Sequence, residues 1–494
     1  MQESSSLKKK TMSGLVWSFS DLIASQGIQF IIQVILARLL LPKDFGIIGM
    51  ITLFIAISNS VIDSGFSNAL IREKKVSQED YSTVFYFNLI MALIMYAVLF
   101  LLSDAISIFF KEPQLVFILR VLSLTLIINS FGLIQRTMLI KNIDFKTQTR
   151  ISIISSIVSG ILAIIFAYMG YGVWSLVIKI LSMQFIQSLL LCLFNKWMPS
   201  FVFKIDSFKR LFGFGWKLLV SGIINTLYEN LYFLIIGRRF STLELGYYTN
   251  ASKIRDTASQ SITYSVQKVS YPVLSSIQGD NDKLKAAFKK IIKNSVFITF
   301  PMMIGLAAVA NPLINLLFGD KWLPSIYYIQ VLCFAGMLFP LHAINLNILQ
   351  VKGRSDLFLG LEIVKKVIAL TVIAIVMVFR FGIEGLLWAS VLNSYVAYFI
   401  NSYFSAELLD YSTKEQIKDI MPIVIVSILM GIIVYLSGLF LLDNNVVKLI
   451  AEIIIGCLSY IGISKIVNIE ELNTFNELLS SFSKMIKHKN LDVK

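Results

Sequence analysis

The sequence predicts an all-α integral membrane protein of about fourteen transmembrane helices, with two parallel six-helix repeats followed by two further helices. Of its 494 residues, 56% are hydrophobic and 15% are charged, whereas soluble domains average about 25% charged residues. Apolar stretches of about 20 residues, the length that crosses a bilayer, recur along the chain. Basic residues collect in alternate loops between these stretches, a pattern typical of multi-pass membrane proteins.

The composition excludes several classes of function. A net charge of +14 would suggest a nucleic-acid partner for a soluble protein, but here the basic residues lie in short loops, so we expect none. The 3 cysteines lie in apolar stretches and only 2 histidines occur, so we expect no disulfide framework, no metal site and no cofactor. Phosphate-binding loops, nucleophile elbows and zinc-protease motifs do not occur, which favours a transporter over an enzyme.

The first predicted helix follows the basic segment MQESSSLKKK. Because no A-x-A cleavage site comes after it, we predict an uncleaved helix that runs to residue 41. The remaining spans are assigned from apolar length and from the polar loops between them. The predicted spans are 12–41, 45–66, 81–103, 115–140, 150–169, 171–195, 211–237, 245–275, 291–317, 325–350, 357–379, 383–408, 420–440 and 446–467.

The loop charges predict the orientation. The basic loops include residues 72–75, 141–150, 196–210 and 283–293. The alternate loops hold fewer basic residues, namely Lys43, Lys111, Arg238, Arg239, Lys321 and Arg380. By the positive-inside rule both termini are cytoplasmic, which requires an even number of spans. The external loops are too short to form a domain, and the basic connections near 196–210 and 278–292 are predicted to lie along the membrane face.

An internal repeat predicts the domain organisation. Residues 36–38 (LAR) match 236–238 (IGR), and residues 44–46 (DFG) match 244–246 (ELG), both at a separation of 200. We therefore predict an N-terminal lobe at 1–195, a C-terminal lobe at 196–408, two additional helices at 409–467 and a cytoplasmic tail at 468–494. Six helices return the chain to its starting side, so the lobes are parallel repeats with a substrate site between them.

Polar residues inside the spans form two matching stripes. The first helix carries Asp21, Ser25, Gln29 and Gln33 at a spacing of four, and the seventh carries Lys217, Ser221, Asn225 and Glu229 at the same spacing. Three positions coincide at the 200-residue separation. Residues four apart share a helix face, so we predict that both stripes line one cavity, with hydrogen bonding between helices as the alternative.

The eighth predicted helix is the most polar. Thr249, Lys253, Asp256, Gln260 and further polar residues fall on one face, with Arg255 and Lys268 beside it. Lys253 and Asp256 can pair at i, i+3, which leaves Arg255 and Lys268 as candidate unpaired charges. Lys179 lies near the middle of the sixth span. Because ionisable groups within hydrocarbon usually face a cavity or a partner, we predict a net-positive cavity that attracts phosphate or pyrophosphate.

Four segments carry a family resemblance: LARLLLPKDFGIIGM, DSGFSNALI, LELGYYTNASKIRD and VSYPVLSSIQGDNDKLKAAFKK. They resemble O-antigen, capsule and teichuronic-acid flippases of the multidrug/oligosaccharidyl-lipid/polysaccharide exporter superfamily, over roughly residues 10–410. The resemblance implies alternating access between two lobes, an undecaprenyl-diphosphate-linked glycan as substrate, and a groove for the lipid tail beside the last two helices. It also implies a bacterial inner membrane, with membrane lipids and polysaccharide polymerase machinery as partners.

The resemblance also suggests roles for individual residues. Cations would contact the diphosphate. Apart from the resemblance, the acidic residues of the spans offer a source of energy: an ion or proton gradient could act on Asp21, Glu229 or Asp256, or the substrate gradient alone could drive transport. Arg38 could equally anchor the external end of its helix. The cation candidates are Arg38, Lys179, Lys217, Lys253, Arg255 and Lys268, and the polar candidates are Asp21, Gln29, Asn225, Glu229, Asp256 and Gln260. Three alternatives are a multidrug exporter of the same superfamily, a lipid II flippase, and a membrane enzyme of glycan assembly.

Overall fold

The computed structural model of the chain describes residues 24–440 and 444–477, with only the backbone of Ser265, Lys268, Val269 and Ser355. Within these ranges the structure is helical and contains no strand. The helices are α1 (Ala24–Leu39), α2 (Pro42–Asp63), α3 (Phe66–Arg72), α4 (Gln78–Phe110), α5 (Leu115–Leu122), α6 (Leu124–Lys141), α7 (Phe145–Tyr168), α8 (Val173–Asn195), α9 (Ile205–Glu229), α10 (Leu231–Arg239), α11 (Thr242–Ser276), α12 (Asn281–Ala308), α13 (Ala310–Leu317), α14 (Ser325–Gly336), α15 (Phe339–Val351), α16 (Ser355–Val378), α17 (Gly382–Leu409), α18 (Thr413–Phe440) and α19 (Asn445–Ile466).

The predicted number of spans agrees with these helices. In the described ranges, 11 segments are long and apolar enough to cross a membrane, counting α5 with α6 and α14 with α15 as one segment each. Three more helices occupy predicted spans: α1 is shorter, and α11 and α16 carry more polar and charged residues. Fourteen helical segments result, and the prediction of an all-α membrane protein is confirmed.

The surface of these helices is apolar. Leu101 and Ile108 on α4 are each 77% exposed, and Val378 on α16 is 75% exposed. Water would penalise such side chains by about 25 cal/mol for each Å² of apolar surface, whereas lipid does not. The exposed apolar faces therefore face hydrocarbon.

The chain divides into two compact units, Met1–Thr249 and Asn250–Lys494. The division falls inside α11 rather than at the predicted lobe boundary of 195/196. It differs because α9 and α10 pack against α2 and are grouped with the first unit. The lobe boundaries were inferred from the repeat, which is a different criterion, and they stay a prediction.

In the first unit, α8 packs against α6 and α7, and α2 packs against α4 and α9. A core of buried side chains joins α3, α4 and α9, and includes Phe66, Leu70, Phe85 and Leu211. The rings of Phe66 and Phe87 meet edge to face with centroids 5.0 Å apart. This core holds the start of α9 against α3 and the start of α4.

Two glycines related by the repeat meet in the first unit. A Cβ atom at Gly46 would overlap the carbonyl oxygen of Thr242, and a Cβ atom at Gly246 would overlap that of Pro42. A Cβ atom at Gly49 would lie 2.8 Å from Thr249 Oγ1. Gly49 thus contacts its own counterpart 200 positions away, and Gly46 and Gly246 each contact the residue four positions before their counterpart. Such reciprocity is what a local two-fold axis between the glycines produces, and it supports the repeat.

The second unit is organised around α12, which packs along α18, while α14 and α15 pack against α17. The hydroxyl of Tyr460 on α19 donates to the carbonyl of Phe297 on α12 at 2.8 Å. In the loop between α17 and α18, burial raises the pKa of Tyr411, whose hydroxyl donates to Asp419 at 2.7 Å. The predicted additional helices at 409–467 are therefore α18 and α19, both joined to α12.

Candidate functional site

A polar face runs along α9 in the first unit. Lys217, Ser221, Asn225 and Glu229 are all exposed, and they are spaced by four, as the sequence predicts. Every residue from Trp216 to Glu229 is at least partly exposed. The predicted stripe therefore exists on the helix surface, although the structure does not test its role in binding.

The opposite face of α9 anchors the helix. Its buried residues are Ser207, Leu211 and Gly215, again at a spacing of four. A Cβ atom at Gly215 would lie 2.5 Å from the carbonyl oxygen of Ser64, so the backbone of α9 rests on the junction between α2 and α3. That junction turns at Gly65, whose φ of +74° disfavours any residue with a side chain. The first three turns of α9 are held tightly, and the polar face points away from this contact.

A chain of half-buried amides joins α8, α6 and α2 in the first unit. Gln184 on α8 donates to Asn129 Oδ1 on α6 at 2.8 Å, and Asn129 donates to Asn59 Oδ1 on α2 at 2.9 Å. Next to Asn59, the hydroxyls of Ser60 and Thr226 lie 3.2 Å apart and join α2 to α9. Asn59, Asn129 and Gln184 were not predicted as site residues, because amides were taken only from the polar stripes of the first, seventh and eighth predicted helices. A search for amides within apolar spans would have found them.

The other predicted residues of the first unit are more scattered. Ser25 and Gln33 on α1 are buried and Gln29 is half-buried, so this stripe packs against protein over part of its length. Lys179 on α8 is half-buried, and Arg38 is exposed at the last turn of α1. Asp21 lies outside the described residues. The role of these residues in binding stays a prediction.

On α11 in the second unit, the predicted pairing is wrong. Asp256 pairs with Arg255 at 2.8 Å rather than with Lys253, which is exposed, as is Gln260. Arg255 also lies over the ring of Phe339 at 5.3 Å, and its side chain packs on Gly336. The expectation that Arg255 lacks an acidic partner is therefore wrong, because its side chain turns off the polar face toward α14 and α15. The side chain of Lys268 lies outside the described residues.

An apolar groove opens on the second unit between α12, α14, α17 and α18. One part has a volume of about 550 Å³ and is lined by Ala308, Tyr327, Trp388 and Gly431 among others. A second part of about 270 Å³ continues past Phe300, Tyr398 and Ile417. The two parts share Ile304, Phe334 and Ile428. Together they form a furrow along α18, of a shape and polarity that fit a hydrocarbon chain.

Comparison with known proteins places these features in context. A family model described as a polysaccharide biosynthesis protein matches residues 35–327, which is more than half of the chain. The chain is 28% identical to the teichuronic acid biosynthesis protein TuaB of Bacillus subtilis, covering 87% of this chain and 89% of that protein. It is 25% identical to the lipopolysaccharide biosynthesis protein WzxC of Escherichia coli, with the same coverage.

Solved structures share the fold. The lipid II flippase MurJ, in an inward closed conformation, aligns with a TM-score of 0.74 over 92% of this chain and 98% of that chain, at 16% identity. An inward-facing multidrug resistance transporter of the MATE family aligns with a TM-score of 0.61 over 78% of this chain and 96% of that chain, also at 16% identity. At this identity the likeness establishes the architecture and leaves the substrate open.

Proposed function

The chain belongs to the polysaccharide biosynthesis protein family, and from this premise we propose that it is a flippase for undecaprenyl-diphosphate-linked oligosaccharides. It moves repeat units of a surface polysaccharide from the cytoplasmic to the external side of a bacterial plasma membrane. It is a transporter and performs no covalent chemistry on the glycan. The polymerase that joins the repeat units is the expected partner on the external side.

The polar face of α9 is the observation that carries this proposal. A sugar and a diphosphate need polar contacts throughout their passage, because hydrocarbon offers no hydrogen bonds. From Arg210 to Glu229, α9 extends about 28 Å at 1.5 Å per residue, close to the hydrocarbon thickness of about 30 Å. A helix whose only role was anchorage would not expose Lys217, Asn225 and Glu229 along this length.

The charges and the groove fit the two ends of such a substrate. Lys217 and Lys179 offer positive charge within predicted spans, and lysine binds phosphate as a point charge. The apolar furrow along α18 fits the polyprenyl tail, which stays in a hydrophobic environment while the headgroup crosses. Alternating access between the predicted lobes, 1–195 and 196–408, with both termini cytoplasmic, completes the proposed mechanism.

The structural neighbours are a lipid II flippase and a multidrug resistance transporter, and they share only the fold with this chain. The relatives that cover most of this chain at higher identity carry names from teichuronic acid and lipopolysaccharide biosynthesis. We therefore favour a glycan repeat unit over either alternative substrate.

Transport can be measured in proteoliposomes that contain undecaprenyl-diphosphate-linked oligosaccharide. A membrane-impermeant glycosidase added outside reports the fraction of glycan that has reached the outer leaflet. We expect wild-type protein to expose the inner-leaflet glycan, and Lys217→Gln to slow this exposure about tenfold. The matched control is Val220→Leu, because Val220 is 47% exposed on the same helix but carries no polar group.

Two outcomes would count against the proposal. Wild-type proteoliposomes that expose no more glycan than empty liposomes would exclude the flippase assignment for this substrate. Native mass spectrometry that finds only ordinary phospholipids on the purified chain, together with binding of cationic dyes, would favour a multidrug exporter.

A further inference from the structure

A basic pocket lies at one end of the first unit, where α3 ends and α9 begins. Its volume is about 570 Å³, within the range of about 300–1,000 Å³ typical of ligand sites. The buried side chains of Ala69 and Leu211 line its apolar part. Its remaining lining residues are Arg72, Glu73, Lys74, Lys75, Arg210 and Phe214.

The pocket carries uncompensated positive charge. Arg210 is neutralised, since it binds the buried Asp80 at 2.6 Å and lies 3.7 Å from Glu73. Arg72, Lys74 and Lys75 are exposed, and none of the three forms an ion pair with any residue that the structure describes. Three exposed cations thus lie at the rim of one concave surface, and their positive charge raises the local concentration of anions.

An adjoining hollow provides a contrast. It has a volume of about 510 Å³ and shares Lys75 and Arg210 with the basic pocket. Three cations and three carboxylates line it, and Lys204 pairs there with Glu79. The neighbouring surface is therefore balanced in charge, and the positive excess belongs to the pocket beside Arg72.

The rim is held in place by the protein. Lys141 on α6 donates to the carbonyl oxygens of Leu70 at 2.7 Å and Glu73 at 2.6 Å. These two carbonyl groups at the C-terminal end of α3 thereby gain a hydrogen-bond donor. The guanidinium of Arg72 stacks 4.4 Å above the ring of Phe214 on α9. These contacts order the segment that bears the three cations, so that less entropy is lost when an anion binds.

The pocket is continuous with the polar face of α9. Arg210 and Phe214 line the pocket, and Lys217 follows them on the same side of the helix. Ser221, Asn225 and Glu229 continue at intervals of four. A polar track therefore starts in the basic pocket and extends along the helix for about the thickness of the hydrocarbon.

We infer that this pocket is a loading site, which binds the diphosphate of the lipid-linked glycan before it moves along α9. The inference rests on the proposed function and adds the place where the substrate first binds. A loop between the second and third predicted spans is cytoplasmic by its charge, which is the side on which the substrate is made under the proposed function. The headgroup of an ordinary phospholipid could bind the three cations, but it would not account for the polar residues that continue along α9.

The experiment measures binding of undecaprenyl diphosphate to the full chain in nanodiscs of neutral phosphatidylcholine. The test variant is Arg72→Gln/Lys74→Gln/Lys75→Gln. The control is Lys290→Gln/Lys414→Gln/Lys418→Gln, which removes the same charge from exposed basic residues outside the pocket. We expect the test variant to bind at least about tenfold more weakly, with an unchanged thermal midpoint, and the control to bind like wild type.

Each other outcome is decisive. Equal binding by the test variant and wild type, or equal weakening in both variants, would overturn the loading site while leaving the proposed function intact. Binding of phosphatidylglycerol is measured in the same way. If the test variant binds phosphatidylglycerol about tenfold more weakly than wild type does but binds undecaprenyl diphosphate equally well, the site is one for ordinary anionic lipid and the inference is wrong. If wild type binds no undecaprenyl diphosphate at all, the proposed function itself fails.

Discussion

At Gly46 and Gly246 the absence of a side chain determines how closely two helices approach. The carbonyl oxygens of Thr242 and Pro42 occupy the space that a methyl group would need. These obstacles are backbone atoms, which cannot rotate away as the end of a long side chain can. The first turns of α2 and α11 are therefore in direct contact.

The change Gly246→Ala tests this contact. We expect it to lower the free energy of unfolding by about 1–3 kcal/mol, because the new methyl group forces the helices apart. The measurement is thermal unfolding in detergent, followed by tryptophan fluorescence. Gly462→Ala on α19 is the control, since a Cβ atom there meets nothing within 4 Å. A midpoint for Gly246→Ala at or above that of Gly462→Ala would rule out a close backbone contact.

Arg255 shows where prediction of single residues reaches its limit. The sequence places Lys253, Arg255 and Asp256 within one turn, and the i, i+3 spacing favours Lys253 as the partner of Asp256. Which of them pairs depends on the neighbours of each side chain. Arg255 turns toward Phe339 and Gly336, which lie about 80 positions away in sequence. No local pattern contains that information.

At the scale of helices, the amide chain joins three elements of the first unit. Asn129 is its centre, because it donates to Asn59 and accepts from Gln184. Hydrogen bonds between helices replace the hydrophobic driving force that lipid cannot supply. The chain therefore helps to fix how α2, α6 and α8 pack.

Replacing Asn129 by leucine should reveal that role. We expect Asn129→Leu to cost about 0.6–2 kcal/mol of stability, since both hydrogen bonds are lost. Gln184 Nε2 and Asn59 Oδ1 then lose the bond to Asn129, while Asn59 still donates to the carbonyl of Ile55. In a double-mutant cycle, Asn129→Leu with Gln184→Leu should cost less than the sum of the single changes. The cycle is read from unfolding in increasing denaturing detergent.

The control for this cycle is Asn315→Leu. Asn315 bonds only within its own helix, to Asn311 at 2.7 Å, among the hydrogen bonds of the described residues. Its replacement should change stability by less than about 0.5 kcal/mol. Strict additivity of Asn129→Leu and Gln184→Leu would show that the two amides act independently.

Helices were more predictable than their contacts. A run of about 20 apolar residues marks a span whatever its neighbours are, and even the polar α11 was recognised from its regular spacing. The hydrogen bonds of Asn129 join residues 70 and 55 positions apart. These partners become adjacent only after the helices pack, so the amide chain could not be read from periodicity.

At the scale of the whole molecule, the distribution of loop charge predicts which side of the membrane each loop faces. Lys74 and Lys414 lie in loops predicted to be cytoplasmic, and Gln114 lies in a loop predicted to be external. Tyr171 is the first residue of the sixth predicted span, at the end predicted to be external, and lies between α7 and α8. The prediction follows from the energetic bias that keeps basic loops on the cytoplasmic side. It also determines on which side of the membrane the basic pocket opens.

Labelling of single cysteines tests this orientation. In a chain whose own cysteines, Cys192, Cys333 and Cys457, are replaced by serine, a membrane-impermeant maleimide is added to intact cells. We expect labelling of Gln114→Cys and Tyr171→Cys, and labelling of Lys74→Cys and Lys414→Cys only after the membrane is opened. Labelling of Lys74→Cys in intact cells would reverse the assigned orientation.

The reciprocal glycine contact also bears on the ancestry of the chain. If the two halves arose from one duplicated gene, the ancestral subunit would have paired with a copy of itself, and one glycine codon would have supplied both sides of the contact. Any mutation of that codon would have changed the residue on both sides of the dimer contact. After fusion the two positions became separate targets of selection, and their surroundings have since diverged, with Pro42 and Asp44 on one side and Thr242 and Glu244 on the other. The glycines themselves are retained on both sides, as expected where the backbone of each half occupies the space beside the other.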